Sequence, residues 1–422
     1  MSNKKNVVIG LFGFGTVGEG IYHVINSTPG LHAQVKKVCI KNPLKERGAP
    51  AELFTTNYDE LLNDPEINLI VELIDDAEEA YKIVTGAFSK GKPVVSANKK
   101  LIAENLAELI RLQEKFGVSF LYEAAVGGSI PIIRNLEEYF DNDLLQGVCG
   151  IINGSTNYIL TRLGEGLTYQ EALLEAQQKG FAESNPALDV EGWDATNKLA
   201  ILLLHAYGAI AKPTDLLRQG ISRIHAKDAA YASEKGLRIK LVAQAKKLSN
   251  GKVSAFVLPR FVTPDSQLHN VSNEYNGILV ESKLADKQFF YGKGAGRYPT
   301  SSAVISDISA FSYHYQYEYK KLRQPEKSTL TNSYYLDVFV SFAAWADVNK
   351  WDFEQVTEYH STADRQYIRG VIHAEKLRAA EWFNDPSVSV ILQPEGLIEK
   401  EAIVAQSIRK VSLQLAGVTP HR

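Results

Sequence analysis

Near its start the chain reads Val7-Val8-Ile9-Gly10-Leu11 and then Gly13-Phe14-Gly15-Thr16-Val17-Gly18, an apolar run of strand length followed by three glycines at fixed spacing and an amphipathic stretch. A strand that turns sharply into a helix through G-x-G-x-x-G belongs to a βαβ unit, and this restricts the fold more than any other feature of the sequence. Gly13 permits the tight turn, Gly15 leaves the backbone open to close approach by a pyrophosphate, and Gly18 lets the helix pack tightly on the strand. Free N–H groups at the helix start, with the helix dipole behind them, suit an anion. Gly13, Phe14, Gly15, Thr16, Val17 and Gly18 are therefore the predicted cradle of a dinucleotide.

The rest of the first third agrees. Apolar runs and helical patterns alternate at residues 6–11, 17–25, 35–40, 69–74, 81–89 and 93–96. Such alternation predicts an α/β domain with a Rossmann-type doubly wound parallel sheet over residues 1–130. Further on the runs lengthen and spread: 145–153, a helical 169–179, an apolar helix 198–206, and strands at 253–262 and 277–280. This reads as an α+β domain over 131–301, to which the family resemblance given below assigns substrate binding and dimerisation. A helix at about 302–311, within 302–322, is expected to pack back on the first domain and complete it. After the polar linker Arg323-Gln324-Pro325-Glu326-Lys327-Ser328 comes a third, small α+β unit over 330–400, with strands at 334–341, 353–359, 365–373 and 388–392 and a helix at 375–383; residues 401–422 form a tail. Several units are what 422 residues require, because single cores stop growing at about 250 to 300 residues.

Composition narrows the partners. The net charge is −3 and no long Lys/Arg run occurs, so the electrostatic footprint of nucleic-acid binding is missing. No apolar stretch is long enough to span a membrane, and the polar N-terminus runs straight into a strand, so the cytoplasm is the expected location. Cys39 and Cys149 stand in the apolar runs Val38-Cys39-Ile40 and Val148-Cys149-Gly150, where they read as small buried hydrophobes rather than as a disulfide or metal ligands.

The second strand ends in Cys39-Ile40-Lys41-Asn42, with Lys45, Glu46 and Arg47 close behind. An NAD-selective site usually places Asp or Glu at this strand end. Here Lys41 and its neighbours favour a 2′-phosphate, hence NADP over NAD; a merely solvated basic loop is the alternative reading of the same residues.

The densest polar signal runs from Ala176 to Lys198, including Glu183, Asp189, Asp194 and Lys198. Asp194 and Lys198 are spaced i, i+4 and share a helix face, while Glu183 and Asp189 lie on a loop that contains Pro186. A surface Asp–Lys pair would contribute only about 0.3 to 0.5 kcal/mol. Lys198, however, opens the apolar run Leu199-Ala200-Ile201-Leu202-Leu203-Leu204, where burial is costly without a partner or a task. Three carboxylates and an ammonium brought to one region mark a site.

This segment resembles the signature of the homoserine dehydrogenases. Val94-Val95-Ser96-Ala97-Asn98-Lys99 is similar to that family's T-A-N-K stretch, and Tyr122-Glu123-Ala124-Ala125-Val126-Gly127-Gly128-Ser129-Ile130-Pro131 to its YEAAVGGGIP stretch. Asn153-Gly154-Ser155-Thr156-Asn157-Tyr158-Ile159-Leu160 and Gly294-Ala295-Gly296-Arg297-Tyr298-Pro299-Thr300-Ser301-Ser302-Ala303-Val304 resemble two further motifs, in the right order. The resemblance covers most of the first 325 residues. It implies an NAD(P)-dependent oxidoreductase that interconverts L-homoserine and L-aspartate 4-semialdehyde in threonine, methionine and isoleucine biosynthesis, working as a homodimer or homotetramer. Carried over by residue, it implies that Glu183, Asp189, Asp194, Asn153, Gly154 and Ser155 hold the substrate, that Lys198, Lys99 and Asp194 serve the reaction, and that Ser96, Asn98, Lys99 and Gly296 face the cofactor. It also implies a sodium or potassium ion held mostly by carbonyls of Glu123, Val126, Gly128 and Ile130.

Two departures stand out. Where the family generally has a Gly-Gly pair, this chain has Asp75-Asp76 after Glu72-Leu73-Ile74, carboxylates that would repel a nucleotide if turned towards it. The third unit resembles an ACT-type regulatory domain only loosely: the stretch between Ser341 and Phe353 is short for the expected helix, and Ala344-Trp345-Ala346-Asp347-Val348-Asn349-Lys350 lacks the glycine of the ligand-binding turn. The departures keep two other readings open, a cofactor-binding regulator without catalysis and a related amino-acid dehydrogenase.

Overall fold

The computed structural model describes residues 6–142, 144–362, 366–401 and 403. The tail assigned to 401–422 lies almost wholly outside the described residues.

The first sheet has six parallel strands, β1 (Val7–Phe12), β2 (Ala33–Cys39), β3 (Phe54–Thr55), β4 (Leu69–Glu72), β5 (Val94–Ser96) and β6 (Phe120–Leu121), in the order β3-β2-β1-β4-β5-β6. The central strands are apolar on both faces because helices cover both, which is why they read as continuous apolar runs. The order reverses between β1 and β4, so the crevice beyond their C-terminal ends is the ligand position of this topology. The glycine loop borders it on one side and residues 73–76 on the other.

Helices α1 (Thr16–Ser27), α2 (Asp59–Leu62), α3 (Ala77–Ser89) and α4 (Lys99–Phe116) connect these strands. No helix is expected above between residues 96 and 130, yet α4 is the longest in the chain described here and buries Leu101, Ile102, Leu106, Leu109 and Ile110 at helical spacing. Asn98 starts it, its side chain accepting from Leu101 N at 2.9 Å, and Gly117 stops it at φ +63. Asp76 does the same for α3, accepting from the N–H groups of Glu78 (3.0 Å) and Glu79 (3.1 Å). One of the two carboxylates that replace the glycine pair is thereby engaged at a helix start, where the dipole favours it. Asp75 remains exposed.

The second sheet begins with β7 (Leu145–Ile151), β8 (Leu217–Arg218), β9 (Arg238–Lys247), β10 (Val253–Val262), β11 (Tyr275–Ser282) and β12 (Asp286–Lys293); the run β12-β11-β7-β9-β10 is antiparallel throughout. Around it lie α5 (Gly154–Gly164), α6 (Tyr169–Gln178), α7 (Ala187–Val190), α8 (Trp193–Tyr207) and α9 (Ala226–Glu234). Every residue of α8 from Asp194 to Tyr207 is buried, because the helix packs against α4 of the first sheet's layer and against β9 and β10. Helix α10 (Arg297–Ser312) then returns to α1: Ser301 Oγ donates to the Val17 carbonyl at 3.2 Å, and Arg297 pairs with Glu19 at 3.0 Å. Gly20 is what allows this, since a Cβ there would stand 2.6 Å from Ser301 Oγ.

The C-terminal unit holds β13 (Tyr335–Phe342), β14 (Phe353–Ser361), β15 (Gln366–His373), α11 (Ala374–Ala379) and β16 (Ser389–Ile398). It is not a separate sheet. β16 lies beside β10, with Arg260 opposite Leu392, so its strands extend the second sheet in the order β16-β13-β15-β14. Between β13 and β14 the chain makes only 3₁₀ turns, Trp345–Asp347 and Lys350–Asp352; among the described residues the helix of an ACT-type unit is absent there. The helix expected at 375–383 is shorter as well. Ala380 is extended (φ −67, ψ 125), which turns Trp382 to stack on Phe353 with ring centroids 5.9 Å apart and to donate from Nε1 to Asp352 at 2.7 Å.

The Asp76 cap carries a measurable consequence. Asp76→Ala should cost about 1 kcal/mol in chemical denaturation, and Asp76→Gly only a few tenths; no loss in Asp76→Ala would mean that the cap contributes nothing.

Candidate active site

Where the two sheets' layers meet, Asp194 sits one residue into α8, 3% exposed. Gly192, at φ +80, turns the chain into the helix just before it. One turn on, Lys198 Nζ donates to Asp194 Oδ2 at 2.6 Å and to the Ile152 carbonyl at 2.7 Å. On the other side Lys99, the first residue of α4, brings its Nζ to 2.7 Å from Asp194 Oδ1 while its side chain stays 45% exposed towards the cleft. Asn153 completes the set. Its Oδ1 caps α5 through Thr156 N (2.8 Å), and its Nδ2 donates to Asp194 Oδ2 (2.8 Å) and Asp189 Oδ1 (2.7 Å).

Burial alone would raise the pKa of Asp194, but Lys198 and Lys99 outweigh it and hold the carboxyl well below the usual range, so it stays ionised. Lys198 is displaced below an ordinary lysine by burial, with Lys99 adding to the effect and Asp194 opposing it. The Asp194 charge acts the other way on Lys99, raising it against its desolvation. Asp189 is pushed up by burial and then by the like charge of Asp194. An ammonium made easier to deprotonate, beside a permanently charged carboxylate, is a group able to give and take a proton.

The remaining sequence-predicted residues are spread over several elements. Glu183 is exposed on the loop before α7, near enough to raise Lys99 through its field. Ser155 donates to the Phe181 carbonyl and so fastens that loop, and Gly154 is required by close packing, since a Cβ would lie 2.6 Å from the Glu274 carbonyl. In the glycine loop, Gly13 (φ +93) leaves no room for a Cβ, which would meet the Leu73 carbonyl at 2.9 Å; at Gly18 it would meet the Gly13 carbonyl at 2.4 Å. Gly15 differs. No protein atom lies within 4 Å of a Cβ there, and α1 starts at Thr16 without a side-chain cap, so its N–H groups and the space before them are free for a phosphate. Phe14 packs its ring on Phe54 (5.0 Å) and Tyr22 (5.7 Å), which leaves its backbone for the ligand. Val17 offers its carbonyl to Ser301, and Gly296 (φ +118) caps α10 across the same cleft.

Lys41 is exposed beyond β2. Beside it Arg47 folds over the Phe54 ring at 5.4 Å and donates to the carbonyls of Asn42 (2.8 Å) and Lys45 (2.6 Å), enclosing a cavity of about 530 Å³ with Ile40, Lys45 and Thr55. Ser96 and Asn98 are both buried at the C-terminal end of β5.

Residues 123–130 form a tight turn through Gly127 (φ +76) and Gly128 (φ +59), pinned by the Ser129 N–H to the Lys293 carbonyl at 3.0 Å. The carbonyls of Glu123 and Ile130 each accept one backbone N–H, at 3.4 and 2.9 Å; among the described residues nothing donates to those of Val126 and Gly128. Free carbonyl oxygens in a turn suit a hard cation. Among the described residues no cluster of three His, Cys, Asp or Glu side chains is placed to hold a metal.

Two features escaped sequence reasoning. Tyr122, His205 and Glu137 form a buried chain, His205 Nε2 lying 2.9 Å from Tyr122 Oη and Nδ1 2.7 Å from Glu137 Oε1, assembled from segments too distant for any spacing to reveal. Glu72 is fully buried at the end of β4, and burial pushes its carboxyl up to about 7. Its signal was in the sequence: a carboxylate closing an otherwise apolar strand.

A Rossmann sheet with an open phosphate cradle, facing a buried Lys–Asp–Lys cluster on a second α+β layer, defines an NAD(P)-dependent oxidoreductase. Residues 13–123 match the family model described as homoserine dehydrogenase, NAD binding domain, and residues 131–309 the model described as homoserine dehydrogenase. The homoserine dehydrogenase of Synechocystis sp. is 40% identical over 313 residues, 72% of each chain, and that of Bacillus subtilis 35% over 316 residues, 72% of this chain and 73% of the relative. Among solved structures, a homoserine dehydrogenase from Thiobacillus denitrificans superposes with a TM-score of 0.81 at 28% identity, covering 92% of this chain and 98% of that one. A hyperthermophilic archaeal homoserine dehydrogenase in complex with NADPH gives 0.63 at 27% identity, over 74% and 99%. The chain belongs to the homoserine dehydrogenase family, whose members are oxidoreductases acting on a CH–OH group. Membership, with the Asp194 cluster intact, speaks against the non-catalytic regulator. No helix among the described residues is long and apolar enough to cross a membrane.

The space at Gly15 yields a test. Gly15→Val should still fold, since a Cβ there meets no protein atom within 4 Å, and should remove NADPH binding followed by nucleotide fluorescence. Retained binding would show that the pyrophosphate lies elsewhere.

Proposed function

We propose that this chain reduces L-aspartate 4-semialdehyde to L-homoserine, reversibly, with NADPH preferred over NADH. The observation that carries the reading is the buried Lys198–Asp194–Lys99 cluster at the mouth of an open dinucleotide cradle. When bound, the reduced nicotinamide supplies the hydride for the aldehyde carbon. The chain's own residues do the rest. Lys198 delivers a proton to the oxygen that gains charge, directly or through a water, while Lys99 adds positive charge beside it. Asp194 keeps both ammoniums at their posts, Glu183, Asp189 and Asp194 offer acceptors for the substrate's ammonium group, and Asn153 holds Asp189 and Asp194 in place through its amide N–H groups.

The backbone of Gly13, Phe14, Gly15, Thr16, Val17 and Gly18, with Ser96, Asn98 and Gly296, would hold the cofactor, and Lys41 with the neighbouring basic loop favours the 2′-phosphate. Sodium or potassium would sit on the carbonyls of Glu123, Val126, Gly128 and Ile130, bracing the turn between the two layers rather than taking part in the reaction. The proposed setting is the cytoplasm, with the chain assembled as a homodimer or homotetramer.

The test is NADPH oxidation followed by absorbance with L-aspartate 4-semialdehyde, repeated with NADH and with added sodium or potassium. Turnover supports the reading and ranks the cofactors; NADPH binding without turnover moves the assignment to another amino-aldehyde. Lys198→Ala should lower turnover by about 10²- to 10⁴-fold with NADPH affinity retained. Because the lowered Lys198 must be protonated for reduction and neutral for oxidation, reduction should fall and oxidation rise as pH increases through a range below that of an ordinary lysine. Parallel pH profiles in the two directions would remove Lys198 from the proton transfer.

A further inference from the structure

The turns that follow β4 and β5 are locked together by one side chain. Glu72 Oε1 accepts the Ile74 N–H at 2.7 Å, and Oε2 accepts from Ser96 Oγ at 2.6 Å. Ser96 Oγ in turn accepts the Asn98 N–H at 3.1 Å, and Asn98 Nδ2 donates to the Ile74 carbonyl at 3.0 Å. The four residues thus close a ring of hydrogen bonds with no solvent access at Glu72 or Ser96. Asn98 is the cap of α4, and the next residue is Lys99, whose ammonium meets Asp194 on the opposite layer.

A buried carboxylate is costly to keep, and a neutral side chain of similar size would fill the same space. What the carboxylate adds is two acceptors in a fixed geometry, spent on two different turns. Neither turn makes an alternative hydrogen bond at those atoms: Ile74 N and Ser96 Oγ each donate only to Glu72 among the described residues. Position matters here because a displacement of about 1 Å at a reacting group can cost 10²-fold in rate.

We propose that Glu72 is a positioning residue for the hydride-transfer reaction, holding the start of α4 so that Lys99 stands against Asp194 and the reacting oxygen. This rests on the functional reading above. Glu72 touches neither substrate nor the reacting atoms and acts through Lys99. Asp75, which is exposed, directly follows Ile74 and is not a member of the ring.

The experiment compares single-turnover NADPH oxidation in wild type, Glu72→Gln, Lys99→Ala and the double variant, with NADPH affinity measured alongside. Gln can still accept from Ile74 N, but its amide nitrogen cannot accept the Ser96 hydroxyl proton. Glu72→Gln is expected to slow hydride transfer about tenfold while NADPH affinity stays within about twofold. In the Lys99→Ala background the same change should alter the rate by less than about twofold, since groups acting as a unit are not additive. A wild-type rate in Glu72→Gln, or effects that multiply in the double variant, would overturn the proposal. Should Glu72→Gln fold poorly, Ser96→Ala opens the same ring and Ser96→Thr restores it; because Ser96 also stands among the cofactor residues, these two are compared at saturating NADPH, where slowed hydride transfer in the first and rescue in the second are expected and a wild-type rate in Ser96→Ala would overturn the proposal. Amide hydrogen exchange in the apoprotein supplies a readout that needs no substrate: segments 73–76 and 98–102 should exchange faster in Glu72→Gln while α8 is unchanged, and unchanged exchange in those segments would also overturn it. Inactivity of the wild type on aspartate semialdehyde would instead strike the functional reading, and the exchange result would stand apart from it.

Discussion

The organisation of this molecule turns on a single buried carboxylate that two ammoniums share across a layer boundary. Asp194 belongs to the second layer and so does Lys198, but Lys99 comes from the first, so the ion cluster is at once the proposed catalytic group and a fastening between the layers. Removing one member of a buried ionic group leaves the others uncompensated, at about 3 to 5 kcal/mol for a buried pair. That asymmetry explains why the surroundings are so constrained: Asn153 spends both its donor hydrogens on Asp194 and Asp189, and the Ile152 carbonyl accepts a further hydrogen bond from Lys198.

Much of this was readable from the sequence, for reasons that are local. The glycine spacing, the alternation of strand and helix, and the i, i+4 pair of Asp194 and Lys198 depend on neighbours along the chain, and the structure places each on the element expected. The Asp75-Asp76 departure was legible as a departure but not in its outcome, because whether Asp76 faces a nucleotide or caps α3 depends on where the helix starts, and a helix start is the least certain part of a sequence reading. What stayed hidden was long-range. Nothing in the order of residues brings Lys99 to Asp194, Tyr122 to His205 or Glu72 to Ser96; those meetings are consequences of topology. The resemblance to a family supplied Lys99, where spacing alone had nothing to offer.

The C-terminal unit shows the same limit from the other side. Its strands were found close to their places; the linker at 323–328 marked the unit off along the chain, and the backbone ladder of the second sheet runs on into it through β16 beside β10. A polar linker marks a break in the chain, not a break in the hydrogen-bonded ladder. Chain connectivity and sheet continuity are separate properties, and only the first is visible in composition.

The return of α10 to α1 has a bearing on how the protein is made. The first sheet's strands are complete once residue 121 has been synthesised, but the helix that covers α1 ends at Ser312. At bacterial-to-eukaryotic elongation rates of roughly 5 to 20 residues per second, the nascent nucleotide-binding layer waits about ten seconds or longer for its missing wall. Throughout that interval one face of α1 lacks its permanent cover, and any chaperone or early-bound nucleotide that shields it would act on the ribosome rather than on the finished enzyme.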